Sequence, residues 1–120
     1  MARHDAQMLK GVLSLLLLRL LAAEDGYGYA IVTSLKGAGF PDLIEGTVYP
    51  ALTRLEAAGH LESYLRRSES GPARKYYRIT GGGRAELARG EAAWRDLVES
   101  VAAVPRTTPR TTPIAPSREV

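Results

Sequence analysis

The sequence predicts a mainly α (α+β) fold, a winged helix-turn-helix that is followed by a C-terminal helix. Two apolar helical segments come first, within residues 5–39. An amphipathic segment, 45–58, then leads directly into two alternating segments that are rich in arginine and tyrosine. A helix beside a projecting basic ribbon is the arrangement with which a winged helix-turn-helix docks on duplex DNA.

The composition argues against an enzyme. The chain has 120 residues, enough for one domain with a modest core but few enough that oligomerisation would help it. It has no cysteine, which excludes disulfides, thiolate metal sites and a cysteine nucleophile. Neither His4 nor His60 has a partner at ligand spacing, and no phosphate-cradling glycine motif is present. We therefore expect no catalytic residue, no metal and no cofactor, in a cytoplasmic protein.

The positive charge is concentrated in one short segment. The whole chain carries a formal net charge of +3. Residues 66–78 alone have a net charge of +4, from Arg66, Arg67, Arg74, Lys75 and Arg78 against Glu69. Binding to DNA phosphates requires local positive charge of this kind. A charged hairpin can also be a solvated edge that resists aggregation, and this alternative stays open.

The first helix is predicted from about Asp5 to Ala23. Leucines surround it, as expected for a helix that packs on several sides. Its apolar run, Val12–Ala23, is shorter than the ~20 residues that a membrane span needs, and Arg19 interrupts it. We therefore predict a buried core helix and no association with a membrane.

The second helix is predicted to begin near Gly26 or Tyr27. Its apolar face consists of Ile31, Val32 and Leu35. The segment 37–39, Gly-Ala-Gly, should end it, because glycine tolerates a left-handed C-terminal cap. Residues 40–44 then form the turn before the next helix.

The third helix is predicted over about Glu45–Ala58. Four positions at helical spacing should face the core: Val48, Ala51, Leu52 and Leu55. The face left toward solvent or a partner carries Thr47, Tyr49, Thr53, Arg54 and Glu56. Pro50 is harmless if Thr47 caps the helix, but it bends the helix if helicity begins at Glu45. The sequence leaves both alternatives open.

Two antiparallel strands should follow, Leu61–Arg66 and Arg74–Ile79, joined by a turn at Ser70-Gly71-Pro72. Alternation predicts that Tyr77 and Ile79 point inward and that Lys75, Tyr76 and Arg78 are at least partly exposed.

Thr80 then caps a last helix whose first residues are three glycines, Gly81–Gly83. This helix carries an apolar stripe, consisting of Leu87, Trp94, Leu97, Val98, Val101 and Val104. The predicted organisation is a winged helix-turn-helix in residues 1–80, a dimerisation helix in 81–104 and a disordered tail rich in proline, threonine and arginine in 105–120.

Three local patterns coincide in this chain: Gly26-Tyr-Gly-Tyr-Ala-Ile31, Glu45-Gly-Thr-Val-Tyr-Pro-Ala-Leu-Thr-Arg-Leu-Glu56 and Gly71-Pro-Ala-Arg-Lys-Tyr-Tyr-Arg-Ile-Thr80. In this order and spacing they strongly resemble the PadR family of bacterial transcriptional regulators, over about residues 8–104. The resemblance implies a winged helix-turn-helix dimer, usually a repressor of nearby genes that a small molecule often releases. It also implies that the third helix is the recognition helix and that Ser68–Ala73 is the wing tip.

The single helix after the wing resembles the short subfamily, in which the last helix reaches across to the partner subunit. In some multidrug-sensing members a tryptophan there lines a flat apolar pocket at the dimer centre, and Trp94 occupies the similar position. The glycines at 81–83 depart from the family's commoner pattern, which has bulkier residues between the threonine and the final glycine.

These arguments predict three groups of functional residues. The DNA contacts are Thr47, Tyr49, Pro50, Arg54, Arg74 and Lys75, of which Arg54 could instead pair with Glu56 or a neighbouring element. The dimer interface is Leu87, Trp94, Leu97, Val98 and Val101. The effector-binding residue is Trp94, which could pack in the interface or also stack on a small aromatic effector.

The predicted partners are a second copy of the chain and double-stranded DNA with a pseudo-palindromic operator, read in major grooves about 34 Å apart. The alternative is a winged-helix module that binds protein without reading DNA.

Overall fold

The computed structural model describes residues 4–106, which form four helices and a three-stranded antiparallel sheet. In chain order these are α1 (Ala6–Ala23), β1 (Gly26–Tyr27), α2 (Gly28–Gly37), α3 (Glu45–Ala57), β2 (Leu61–Arg66), β3 (Arg74–Ile79) and α4 (Gly81–Ala103). This confirms the predicted α+β winged helix-turn-helix with a C-terminal helix. The predicted tail lies outside the described residues from residue 107 onward.

Helix α1 is the central helix of the core. Asp5 caps it, because the Asp5 carboxylate accepts a hydrogen bond from the backbone N–H of Met8 at 3.1 Å. By length and composition α1 could cross a membrane. It packs instead against α3, α4 and β3 through five buried leucines, Leu9, Leu13, Leu17, Leu18 and Leu21. The predicted core helix is confirmed.

The predicted start of the second helix is wrong by one or two residues. Gly26 and Tyr27 form the short strand β1, which pairs antiparallel with β3, and α2 begins only at Gly28. The free edge of β3 offers hydrogen-bond partners to these two backbones, and this tertiary pairing outweighs the helical pattern that follows them. The wing is therefore part of a three-stranded sheet, in the order β1-β3-β2, and not a separate hairpin.

Helix α3 begins at Glu45, with Ile44 as its N-cap, so Thr47 does not cap it. Pro50 consequently lies inside the helix and cannot donate a backbone hydrogen bond to the Gly46 carbonyl four residues earlier. The four residues that were predicted to face the core are all buried: Val48, Ala51, Leu52 and Leu55. The helix ends at Ala57, and Gly59 follows with a positive φ of 82°.

The junction between the wing and α4 is tightly packed. The Thr80 hydroxyl accepts a hydrogen bond from Gly83 N–H at 3.0 Å and donates one to the Gly59 carbonyl at 2.6 Å. Gly83 is buried, and a Cβ at this position would overlap the carbonyl oxygen of His60 and lie 2.7 Å from Cγ1 of Ile79. The Thr80 cap is confirmed, and the last of the three glycines is required by this close approach.

Candidate nucleic-acid interface

The exposed face of α3 carries four of the residues that were predicted to contact DNA. Thr47, Tyr49, Pro50 and Arg54 are all exposed, on the side of the helix away from its buried residues. This side is polar, and α3 also contacts strand β2 of the sheet. The helix therefore presents a free surface with a guanidinium and two hydroxyl groups, which suit phosphate oxygens and base edges.

The Tyr49 ring is held against the first turn of α2. A Cβ at Gly28 would lie 2.7 Å from Cε1 of the Tyr49 ring and 3.1 Å from its hydroxyl oxygen. Only glycine leaves room for the ring at this distance. Tyr49 nevertheless stays 43% exposed, so its hydroxyl group is both positioned and accessible.

A groove of about 300 Å³ brings together residues from four elements, β1, α2, α3 and β3. It lies between the start of α2, α3 and β3, and its lining consists of Tyr27, Gly28, Tyr29, Tyr49, Arg74, Lys75 and Tyr77. Three predicted DNA contacts, Tyr49, Arg74 and Lys75, therefore share one groove. The structure does not place Thr47, Pro50 or Arg54 in this lining, and they occupy the α3 face beside it.

Arg74 carries a positive charge that no carboxylate neutralises among residues 4–106. Its guanidinium lies over the Tyr27 ring, 4.7 Å from the ring centroid. A cation–π contact restricts the side chain but leaves its N–H donors available. The Tyr27 ring thus orients the Arg74 guanidinium, and its N–H groups remain available to bind an anion.

Lys75 is partly neutralised within its own chain. Its ammonium group lies 3.5 Å from Glu56 in α3 and 5.2 Å from the centroid of the Tyr77 ring. Glu56 also accepts a hydrogen bond from Ser63 in β2 at 2.6 Å, and this bond and the Lys75 charge hold the pKa of Glu56 below its usual value. Arg54 forms no ion pair within residues 4–106, so the alternative that it pairs with Glu56 or a neighbouring element is wrong, and Glu56 instead joins α3 to the wing.

The outer face of the sheet carries a row of three neighbouring tyrosine rings that was not predicted from the sequence; one pair is tilted and the other is stacked. Tyr76 lies between Tyr27 and Tyr64, with ring centroids 5.3 and 5.8 Å away. The strand register places the three residues side by side, Tyr27 with Tyr76 and Tyr76 with Tyr64. The only signal for this row in the sequence is the alternation within each strand, which does not determine the pairing between strands.

Side-chain hydrogen bonds connect Tyr64 and Arg78 on this face of the sheet to nearby carboxylates. The Tyr64 hydroxyl donates to Asp25 at 2.5 Å, and this bond raises the pKa of Tyr64. Arg78 lies over the Tyr64 ring and forms an ion pair with Glu62 at 2.8 Å. The sheet is therefore linked to the loop that follows α1, and the charge of Arg78 is paired within the hairpin.

The predicted dimer face of α4 is exposed along most of its length. Four large apolar residues are between 39% and 63% exposed: Trp94, Leu97, Val98 and Val101. Leu87 differs, because it is partly buried against the core of its own chain. Within the described part of the chain, no group of three or more His, Cys, Asp and Glu side chains could hold a metal ion.

Comparison with known proteins finds relatives over most of the chain. Residues 17–89 match the transcriptional regulator PadR-like family. An uncharacterized protein of Lysinibacillus sphaericus is 34% identical over 104 residues, which span 84% of this chain and 93% of that protein. The crystal structure of a Streptococcus transcriptional regulator is similar, with a TM-score of 0.75 and 36% identity, covering 83% of this chain and 98% of that one. A PadR-like transcriptional regulator from Bacillus cereus has a TM-score of 0.75 and 38% identity, covering 81% and 94%.

Proposed function

The chain belongs to the PadR-like family of transcriptional regulators, and we propose that it is a homodimeric repressor that binds a pseudo-palindromic operator in double-stranded DNA. Members of this family are transcriptional regulators and not enzymes. We also propose a cytoplasmic location, which agrees with the absence of cysteine.

The groove between α2, α3 and β3 is the observation that carries this proposal. It combines the positioned hydroxyl group of Tyr49 with the unneutralised guanidinium of Arg74. The first turn of α2 opens onto the same groove, and its N-cap residue, Tyr27, makes no side-chain hydrogen bond to it. Backbone N–H groups, a hydroxyl and a guanidinium are the donors with which proteins hold DNA phosphates, while the adjacent α3 face reads bases.

The exposed stripe on α4 supports a dimer. From Ala93 to Ala103 every residue of α4 is exposed in the single chain. Contiguous exposed apolar surface marks an interaction site, and a two-fold axis would pair this stripe with its own copy. Such a dimer would carry two copies of α3, which must lie about 34 Å apart to enter successive major grooves.

Trp94 supports a role for a small aromatic effector. It is 39% exposed and lies at the start of the stripe, where α4 leaves the body of the chain. A flat aromatic compound that stacks on Trp94 between two subunits would compete with their packing. We propose that such binding shifts the separation of the two α3 helices and releases the operator, a coupling typically worth about 1–3 kcal/mol.

The DNA-binding proposal is tested with the DNA upstream of the protein's own gene. Fluorescence anisotropy between 50 and 200 mM salt should show affinity that falls by about 10³-fold or more if roughly six or more phosphates are contacted. A footprint on that DNA should cover two related half-sites. A winged-helix module that binds only protein would give no footprint and no preference for this DNA over an unrelated duplex.

Matched charge variants locate the contact. The double substitution Arg74→Gln and Lys75→Gln should weaken operator binding and reduce the salt slope by about 2, because about one counterion is released for each phosphate contact. Lys10→Gln removes one charge on α1, away from the groove, and serves as the control. If the double variant and the control bind the operator equally well, the wing takes no part in binding.

A further inference from the structure

Glu56, in the last turn of α3, contacts both strands of the wing hairpin. One carboxylate oxygen, Oε2, accepts a hydrogen bond from the Ser63 hydroxyl in β2 at 2.6 Å. The other oxygen, Oε1, lies 3.5 Å from the ammonium nitrogen of Lys75 in β3. A single side chain, only 32% exposed, therefore links α3 to both strands of the wing.

The Lys75 ammonium lies between this carboxylate and an aromatic ring. It is 5.2 Å from the centroid of the Tyr77 ring, and Tyr77 is the register partner of Ser63, which donates to Glu56. Lys75 is still 52% exposed and lines the groove between α2, α3 and β3. The ammonium group thus has a defined position at the edge of the candidate DNA-binding groove.

The same contact lowers the net positive charge of the groove. Arg74 and Lys75 are the charged residues of its lining, and within residues 4–106 only Glu56 brings a carboxylate within 4.0 Å of either cation. The hydrogen bond from Ser63 and the charge of Lys75 hold the pKa of Glu56 below its usual value, so the carboxylate is ionised at neutral pH. One of the two cations is therefore neutralised within the chain, and the other is not.

We propose that Glu56 determines how well the protein discriminates between its operator and unrelated DNA. This inference rests on the proposed DNA-binding function. Binding to unrelated DNA comes almost entirely from charge, so a carboxylate that neutralises Lys75 weakens it. Specificity is a difference between two affinities, and it increases when a repulsive group weakens the wrong complex more than the right one.

On the operator, two effects of Glu56 oppose each other. Its charge repels the phosphates, but its contacts with Ser63 and Lys75 hold the wing in position relative to α3, so that both can contact one duplex together. On unrelated DNA only the repulsion matters, because no base contacts hold the protein in one register. Removal of the charge should therefore favour unrelated DNA more than the operator.

The test compares three variants of the full chain. Glu56→Gln removes the charge but keeps an amide oxygen that can accept the hydrogen bond from Ser63. Glu62→Gln is the matched control, because it also removes one negative charge, but Glu62 pairs with Arg78 on the outer face of the sheet. Lys75→Gln removes the cation that Glu56 neutralises. Thermal unfolding establishes that each variant is folded.

Fluorescence anisotropy then measures the affinity of each variant for the operator and for an unrelated duplex of the same length. Glu56→Gln should bind the unrelated duplex roughly threefold more tightly at about 0.15 M salt, with a salt slope that is steeper by about 0.9. Its operator affinity should change by less than about twofold, because the gained attraction and the lost position of Lys75 offset each other. Glu62→Gln should change both affinities by the same factor.

A double variant shows whether Glu56 acts through Lys75. When Glu56→Gln is added to Lys75→Gln, its effect should equal that of Glu62→Gln, because no cation is left for Glu56 to neutralise. The inference is overturned if Glu56→Gln leaves the ratio of operator to unrelated affinity where Glu62→Gln leaves it, while the wild type prefers the operator. A wild type without that preference would instead overturn the proposed function, and the inference with it.

Discussion

The guanidinium of Arg19 in α1 and the carboxylate of Glu91 in α4 form a two-pronged ion pair, with Nε–Oε2 at 2.5 Å and Nη2–Oε1 at 2.6 Å. The pair lies where α4 leaves the body of the chain. A Cβ at the neighbouring Gly90 would be 3.4 Å from the Leu15 side chain, whereas all residues from Ala93 to Ala103 are exposed. Arg19 and Glu91 therefore join α1 to the part of α4 from which the exposed half extends.

This ion pair predicts a pH-dependent contribution to stability. The hydrogen bonds and charge of Arg19 hold the pKa of Glu91 below its usual value. Because the folded-state pKa is the lower one, the contribution is complete above the unfolded carboxyl pKa of about 4.3 and is lost as the pH falls through the folded-state value. Glu91→Gln should thus be less stable than the wild type at pH 7, with a difference that shrinks below about pH 4.3.

Urea unfolding at several pH values from 7 to 3 measures that difference. Both side chains are partly exposed to solvent, which screens their interaction, so the effect should be small. Glu99→Gln is the control, because Glu99 is exposed on α4 and forms no ion pair within residues 4–106. A gap between Glu91→Gln and wild type that stays constant down to pH 3 would contradict the role given to the carboxylate.

Two of the three glycines at the start of α4, Gly81 and Gly83, should respond differently to alanine. Gly83→Ala places a Cβ against the backbone carbonyl of His60, which cannot move as a flexible side chain could. We expect a loss of about 1–3 kcal/mol or more from overpacking, which exceeds the gain of about 1 kcal/mol in helix propensity. Gly81→Ala meets no atom within 4 Å and should be neutral or stabilising. Denaturant unfolding of the two variants decides whether sterics or propensity governs this junction.

Gly28 should influence DNA binding mainly through the position that it allows for Tyr49. In Gly28→Ala the new Cβ would displace the Tyr49 ring, a side chain that can rotate away, so the chain should remain folded. Operator affinity should fall because the hydroxyl group loses its position. Tyr49→Ala tests this, since adding Gly28→Ala to Tyr49→Ala should cause little further loss. Additive losses in the double variant would show that Gly28 acts independently of Tyr49.

The helices and the two wing strands could be predicted from sequence because each has a strong local signal. Periodicity identified the buried face of α3, and alternation placed Tyr77 and Ile79 inward, as observed. Strand β1 could not be predicted, because two residues carry no period and only the edge of β3 determines their conformation.

The ion pairs and cation–π contacts of the site could not be predicted from the sequence, because they depend on how separate elements pack together. The pairing of Lys75 with Glu56 and the stacking of Arg74 on Tyr27 each join residues that are far apart in the chain. Composition showed that the hairpin is basic, but only the packed structure separates its neutralised charges from its free ones.

The dimer interface proposed for α4 can be tested with Val101→Asp. Val101 is 63% exposed in the single chain and lies in the apolar stripe, so pairing with a second copy would bury the new carboxylate without a partner. We expect the dimer to dissociate at micromolar concentration, because an unpaired buried charge costs roughly several kcal/mol. Ala103→Asp is the matched control, since it adds the same charge about 160° around the helix. Sedimentation equilibrium should show a monomer for the first variant and a dimer for the second, and two dimers would place the interface elsewhere.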